Sequence, residues 1–313
     1  MICKSNNSIL IGCLCAVGCE SIFGLSYVFT KQATNVASEF AFLGWRFLIA
    51  TVFMSLCILF GLIKVSLKDK KMHPLLLIAV CNPAVYYIGE TIGISHTTAA
   101  ESGVILASIP VASLAASTFV LREKPFKTQI IGILTTLIGV IITVFAAGVQ
   151  SSFSVIGYLF LFIGVISYAL YAVFVEKAIA FTGTEITYIM MIAGALLFGT
   201  VALIEGAHTG TLSELAALPL HETDFLVAIL YSGICSSILG FILSNTAIAL
   251  IGVNRTASFI GLSTVVAIIA GIVLLGESFS IFQIIGAAVI IAGVYIANAK
   301  LQKESPPGRG YKD

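Results

Sequence analysis

Three ionisable side chains stand inside long apolar runs of this chain: Glu20, Arg46 and Glu90. On insertion scales such a group costs at least about 2.5–3.5 kcal/mol at membrane depth, so it normally faces a cavity, a partner or both. Glu20 lies near the middle of the first run, where a carboxyl that takes up and releases a proton could couple that proton to another event. The plainer role is a protonated acid hydrogen-bonded to a neighbouring helix. Arg46 and Glu90 fall at similar depths in the second and third runs. A buried guanidinium needs an anionic or multiply hydrogen-bonded partner, and Glu90 or Glu101 is nearest by depth. The pair can be a static ion pair, a gate that opens and closes, or a site in which Arg46 receives the carboxylate of a bound molecule.

Neutral groups accumulate at the same depths. Phe23, Tyr86, Tyr87, Tyr168 and Tyr171 lie well inside apolar runs, where the hydroxyls need partners and the ring faces can receive a cation. Pro83 and Pro110 interrupt the third and fourth runs, with Asn82, Tyr86, Glu90 and Ser108 near the breaks. Asn245, Ser236 and Ser237 add polar groups from the eighth run. The candidate binding set is therefore Glu20, Phe23, Arg46, Asn82, Tyr86, Glu90, Ser108, Tyr168, Tyr171 and Asn245. Glu101 and Arg255, at equivalent places near opposite interfaces, read as snorkelling charges. Glu123 and Glu277 read as fastenings of a tight turn into the next helix.

These residues sit in a chain of 313 residues that is 59% hydrophobic and 10% charged, against roughly 45–50% apolar content in soluble domains. With a mean hydropathy of +1.09, it is an all-α polytopic membrane protein. Spans of roughly 20 residues cross the hydrocarbon, and only helices or closed barrels satisfy their backbone there. The charged and Gly/Pro-containing breaks divide the chain into ten expected transmembrane helices: 8–30, 39–62, 73–95, 98–121, 126–148, 153–175, 185–205, 223–250, 253–275 and 280–299. With the N-terminus inside, the inner loops hold Lys4, Lys64, Lys68, Lys70, Lys71, Arg122, Lys124, Lys127, Lys177, Arg255 and the basic tail, whereas the outer loops hold only Lys31. The positive-inside rule then puts both termini in the cytoplasm of a cell-membrane protein. The longest outer loop, 206–222, carries Glu214 and Glu222 and no Lys or Arg.

The chain repeats itself. Leu121, Glu123, Gln129, Ile130, Ile131, Gly132, Gly139, Val140 and Ile142 recur 154 positions later as Leu275, Glu277, Gln283, Ile284, Ile285, Gly286, Gly293, Val294 and Ile296. Gly18, Ser21, Lys31 and Glu39 recur 146 positions later as Gly164, Ser167, Lys177 and Glu185, so the second copy holds about eight extra residues, placed in 206–224. Two copies with an odd number of spans must sit inverted in the bilayer, the architecture of secondary carriers, whose site lies near the midplane between repeats. The expected organisation is a first five-helix repeat over 8–148, a second over 153–299 and a cytoplasmic tail over 300–313. Gly132 and Gly139, and Gly286 and Gly293, each lie seven apart on one helix face and permit close packing, as scaffold or as a homodimer face.

The stretch from Thr97 to Val140, with Ala99, Ala100, Pro110, Glu123, Gln129, Gly132 and Gly139, resembles the EamA domain of the drug/metabolite transporter superfamily, as does its copy from Val253 to Val294. Trp45, Arg46, Phe47 and Ala50 are similar to that domain's second-helix signature, and Phe23, Gly24 and Lys31 stand where its first helix usually shows Trp-Gly and a following Lys. The resemblance implies ten spans and export, less often uptake, of small metabolites or drugs, usually coupled to protons or exchange. Three departures set this chain apart: Phe23 for Trp, Thr264 where the first copy has Pro110, and the added acids Glu20 and Glu90.

The leading expectation is an alternating-access carrier for an amino acid or related zwitterion, operating as an exporter, with Glu20 or Glu90 titrating. The alternative is an organic-cation or multidrug carrier drawn by the acids and ring faces. The expected partners are the small-molecule substrate and membrane lipid, with no nucleic acid, cofactor or metal. An enzyme is disfavoured: there is no His/Asp/Glu cluster with metal spacing, no G-x-S-x-G elbow and no phosphate-binding loop.

Overall fold

The computed structural model describes residues 6–68, 70–96, 105–106, 108–122, 124–146, 154–275 and 281–298. Every regular element among them is helical. The helices are α1 (Asn6–Thr34), α2 (Glu39–Leu59), α3 (His73–His96), α4 (Ile109–Leu121), α5 (Lys127–Ala146), α6 (Val155–Lys177), α7 (Gly183–Thr209), α8 (Leu212–His221), α9 (Thr223–Ile251), α10 (Val253–Ala257), α11 (Gly261–Leu275) and α12 (Ile281–Asn298). Six of them, α1, α2, α3, α6, α7 and α9, are long and apolar enough to cross a membrane. Their flanks leave Leu10, Leu14, Leu76, Leu159, Ile166, Leu196 and Leu203 exposed while Phe42, Phe47, Phe198, Phe225 and Phe241 are buried. Apolar side chains on both the inside and the outside are what lipid as solvent selects.

Local chemistry starts these helices where orphan N–H groups need acceptors. Ser38 caps α2 through the Ala41 N–H at 3.1 Å, and Ser154 caps α6 through Gly157 at 3.1 Å. Thr182 and Glu185 form a reciprocal capping box on α7. Glu185 also accepts from the Ser66 N–H and from Lys70 Nζ at 2.7 Å, tying the 59–73 connection to that end of the bundle.

The contacts between halves respect the sequence repeat. Exchanging the copies pairs α1 with α6, α2 with α7, α3 with α9, α4 with α11 and α5 with α12. The contact of α3 with α6 becomes that of α9 with α1, and α4 with α6 becomes α11 with α1. The self-equivalent contacts α2·α7 and α5·α12 are also made. Both run antiparallel, the relation that inverted halves require. Ser38 meets Glu205, Gly44 faces Ala202, Phe47 stacks on Phe198 and Ser55 bonds Tyr188. Along the other seam Gly132 faces Ala297, Thr136 faces Gly293 and Gly139 faces Ile290.

One expectation is corrected. The 206–222 stretch read as a loop contains helix α8, whose Leu215 carbonyl accepts from Trp45 Nε1 at 2.9 Å. Pro110 stands in the first turn of α4, where a missing N–H costs nothing. The repeated glycines form a seam between two helices of the same chain, since a Cβ on Gly132, Gly139 or Gly293 would collide with the backbone of the facing helix. Glu101, Glu123, Glu277 and the tail lie outside the described residues. At the start of α5 the Gln129 side chain accepts from the Phe126 N–H at 3.0 Å.

Overpacking a fitted seam costs about 1–3 kcal/mol, and more when backbone is struck. Gly132→Leu should therefore lower the melting temperature of the detergent-solubilised protein clearly, whereas Ile138→Leu, on the exposed flank of α5, should leave it unchanged. Thermal unfolding followed by size-exclusion chromatography measures both.

Candidate functional site

A cavity enclosing about 540 Å³ of space, its open mouth included, lies between the halves. One face of α1 supplies Glu20, Phe23, Ser26, Tyr27 and Thr30. These recur at helical spacing and point the same way. From α2 comes Arg46, from α3 Tyr86, Tyr87, Glu90 and Ile94, and from α4 Ile109. The second half closes the space with Tyr168 of α6, Ser236 and Phe241 of α9, and Ile260.

The centre of the arrangement is Arg46, only 3% exposed. Its Nε donates to Ser237 Oγ at 2.8 Å, and its Nη2 donates to Ser236 Oγ at 2.9 Å and to Tyr87 OH at 2.7 Å. The guanidinium carbon also lies 4.6 Å from the Tyr87 ring centre, a cation–π distance. Neither a static pair with Glu90 nor any other carboxylate contact appears within 4.0 Å of Arg46 among the described residues; the ion pair found there is Lys70–Glu185. A guanidinium has five N–H donors. Three are committed to hydroxyls, which leaves the two on Nη1 without a partner among the described residues.

The local fold of α9 makes this possible. Residues Tyr231–Gly240 form wide π-helical turns, and α3 carries the same irregularity at the equivalent place, Val80–Val85, where Asn82 leaves the helical conformation (φ −145°, ψ 117°). Gly233 lets α2 approach closely, because a Cβ there would come within 2.9 Å of the Arg46 carbonyl. Two adjacent serines of the second half thereby reach one cation of the first.

The two acids are held more loosely. Glu90, 8% exposed, accepts from Tyr86 OH at 2.6 Å, one helical turn away. Glu20, 3% exposed, accepts from the Cys19 thiol at 3.6 Å, a weak bond, and Ser263 of α11 lies beside it. Tyr27 is close enough to interact with both carboxyls. The walls are aromatic: Tyr86 pairs with Tyr168 at 5.3 Å between ring centres, and Phe23 with Phe241 at 5.4 Å.

Six of the ten expected binding residues, Glu20, Phe23, Arg46, Tyr86, Glu90 and Tyr168, line this cavity. The other four do not. Tyr171 is fully buried and donates to Asn245 Oδ1 at 2.6 Å, while Asn245 donates to Thr187 at 3.0 Å, so this pair joins α6, α9 and α7 inside the packing. Ser108 bonds its own chain at the Ile105 carbonyl. Asn82 is fully buried away from the lining, without a hydrogen-bond partner among the described residues. Its repeat equivalent, Ser236, is the residue that reaches the cavity. Tyr27 and Thr30 were missed although their spacing from Glu20 along α1 is legible as one helical face.

Two homologous halves around a polar, aromatic-walled cavity define a multi-pass helical membrane protein. The sequence model of the EamA-like transporter family matches residues 10–145 and again 155–299. The uncharacterized transporter YcxC of Bacillus subtilis is 34% identical over 91% of this chain and 91% of its own length. A probable amino-acid metabolite efflux pump of Salmonella typhimurium is 25% identical over 59% of this chain and 62% of its own. A solved crystal structure covers 94% of this chain and 99% of its own at a TM-score of 0.73 and 17% identity, a likeness of fold. The chain belongs to the EamA-like transporter family.

A buried charge that loses its acceptors keeps its full desolvation penalty. Replacing Ser236 and Ser237 together by Ala should destabilise the protein by about 2–4 kcal/mol, and adding Arg46→Met should recover most of that loss. Denaturation of the double and triple variants reads the difference.

Proposed function

We propose that this protein is a secondary active exporter of a small zwitterionic metabolite, an amino acid or close relative, working by alternating access. On this reading ten helices form two inverted five-helix repeats, 8–148 and 153–299, with both termini and the 300–313 tail in the cytoplasm. The antiparallel seams α2·α7 and α5·α12 support the inversion, and the basic inner loops support the orientation.

One observation carries the substrate class: a buried guanidinium with two donors uncommitted among the described residues shares a cavity with two carboxyls. A substrate carboxylate satisfies the Nη1 donors in a charge-assisted bond, and an ammonium group meets Glu90 or Glu20. An organic cation lacking a carboxylate answers only the acids and leaves Arg46 unpaired, which weighs against the alternative cargo. The Salmonella relative's description as a probable amino-acid metabolite efflux pump points in the same direction.

Ser236 and Ser237 belong to the second half and Arg46 to the first, so the charge is seated by both bodies whose relative motion would expose the site to either side. Binding a carboxylate at Arg46 then bears on the contact that joins them. A carboxyl in the same cavity that is protonated on one side and released on the other would supply coupling to the proton gradient.

In proteoliposomes, uptake of labelled amino acids should saturate and respond to an imposed pH gradient. Arg46→Lys should weaken carboxylate-bearing substrates by about tenfold or more, since lysine cannot keep three hydroxyl partners and still present two donors. Glu20→Gln should abolish the response to the pH gradient; an unchanged response in that variant removes Glu20 from coupling.

A further inference from the structure

The charges of the cavity do not balance for a simple zwitterion. Arg46 contributes one positive group, whereas Glu20 and Glu90 contribute two acids, and no other basic side chain among the described residues lines the space. A neutral amino acid occupies Arg46 and one carboxyl and leaves the second to be neutralised by a proton rather than by a ligand cation. Leaving a buried charge unpaired is costly. Three charged groups are answered together by a molecule with one carboxylate and two amines.

The placement of the acids fits such a molecule. Glu90 shares the Arg46 region through Tyr87, which bonds Arg46, and Tyr86, which bonds Glu90. Glu20 lies seven residues before Tyr27 on α1, roughly 10 Å of helical rise, and both line the cavity. The path between the acids runs past Phe23, Tyr86 and Tyr168, ring faces suited to a methylene chain ending in a cation.

We infer that the site selects basic amino acids: the α-carboxylate on Arg46, the α-ammonium on Glu90, and the distal ammonium of a lysine- or ornithine-like side chain on Glu20. This deepens the zwitterion-carrier reading and rests on it. Norleucine, which replaces the distal amine of lysine by a methyl group, isolates the contribution of Glu20, and cadaverine, which lacks the carboxylate, isolates that of Arg46.

The test is binding of L-lysine, L-norleucine and cadaverine to the purified full-length protein in nanodiscs at neutral pH, by isothermal titration. Lysine should bind about tenfold or more tighter than norleucine, the value of one hydrogen bond to a charged group. Glu20→Gln should bring lysine affinity down to that of norleucine measured on the same variant, with a monodisperse size-exclusion peak reporting that it is folded. Glu90→Gln should weaken lysine and norleucine alike. Equal binding of lysine and norleucine by the unmodified protein overturns the basic-amino-acid assignment and leaves the zwitterion reading standing. A lysine preference that survives Glu20→Gln overturns the role of Glu20. Cadaverine binding with no affinity for either carboxylate-bearing ligand overturns both readings.

Discussion

Everything at the centre of this protein depends on keeping one guanidinium charged where water is scarce. Arg46 is solvated by hydroxyls, Tyr87 from its own half and Ser236 and Ser237 from the other. Had a carboxylate been its partner, the pair would have been neutral and closed to further anions. Hydroxyl solvation stabilises the cation while leaving two of its donors without a partner among the described residues. The same bonds tie α2 to α9 across the interface between repeats, so the site and the joint between the halves are one structure.

The scaffold is symmetric and its chemistry is not. The π-helical turns and the contacts of α1 and α6 come in pairs related by exchange of the halves, and each of the two seams maps onto itself. The charged residues do not: the positions equivalent to Glu20, Arg46 and Glu90 are Ile166, Ile192 and Ser244. A single copy of the charged groups puts one charged cavity, rather than two, between the halves. The serine counterpart of Asn82 illustrates the division, since Ser236 seats the cation while Asn82 is sequestered in the packing of α3.

Glu20, Arg46 and Glu90 stand out in the sequence because charge in hydrocarbon is expensive, and all three line the cavity. Residues marked by polarity alone are placed elsewhere. Asn245 and Tyr171 satisfy each other inside the bundle, and Ser108 satisfies its own backbone, because a buried neutral polar group needs a hydrogen bond and nothing more. Tyr27 went unnoticed because a tyrosine in an apolar run carries no such cost, although it shares the α1 face of Glu20 and Phe23. The α5·α12 seam shows the same limit: glycines spaced by seven announce close approach of a helix without naming which helix.

Composition, hydropathy and the internal repeat by themselves determined a helical membrane protein of two homologous halves with acids and a guanidinium at depth. These properties follow from the solvent, because lipid admits only self-satisfied backbone and penalises every charge, and that penalty is written in the order of residues. Only the tertiary structure decided which groups meet. Partner choice depends on the rotation and depth of each helix, set by packing at glycines such as Gly233 and by the wide turns of α9, and neither leaves a periodic trace in the chain. That is why Arg46 could be recognised as needing partners from its letter alone, while the answer, two serines nearly two hundred residues away, came from the fold.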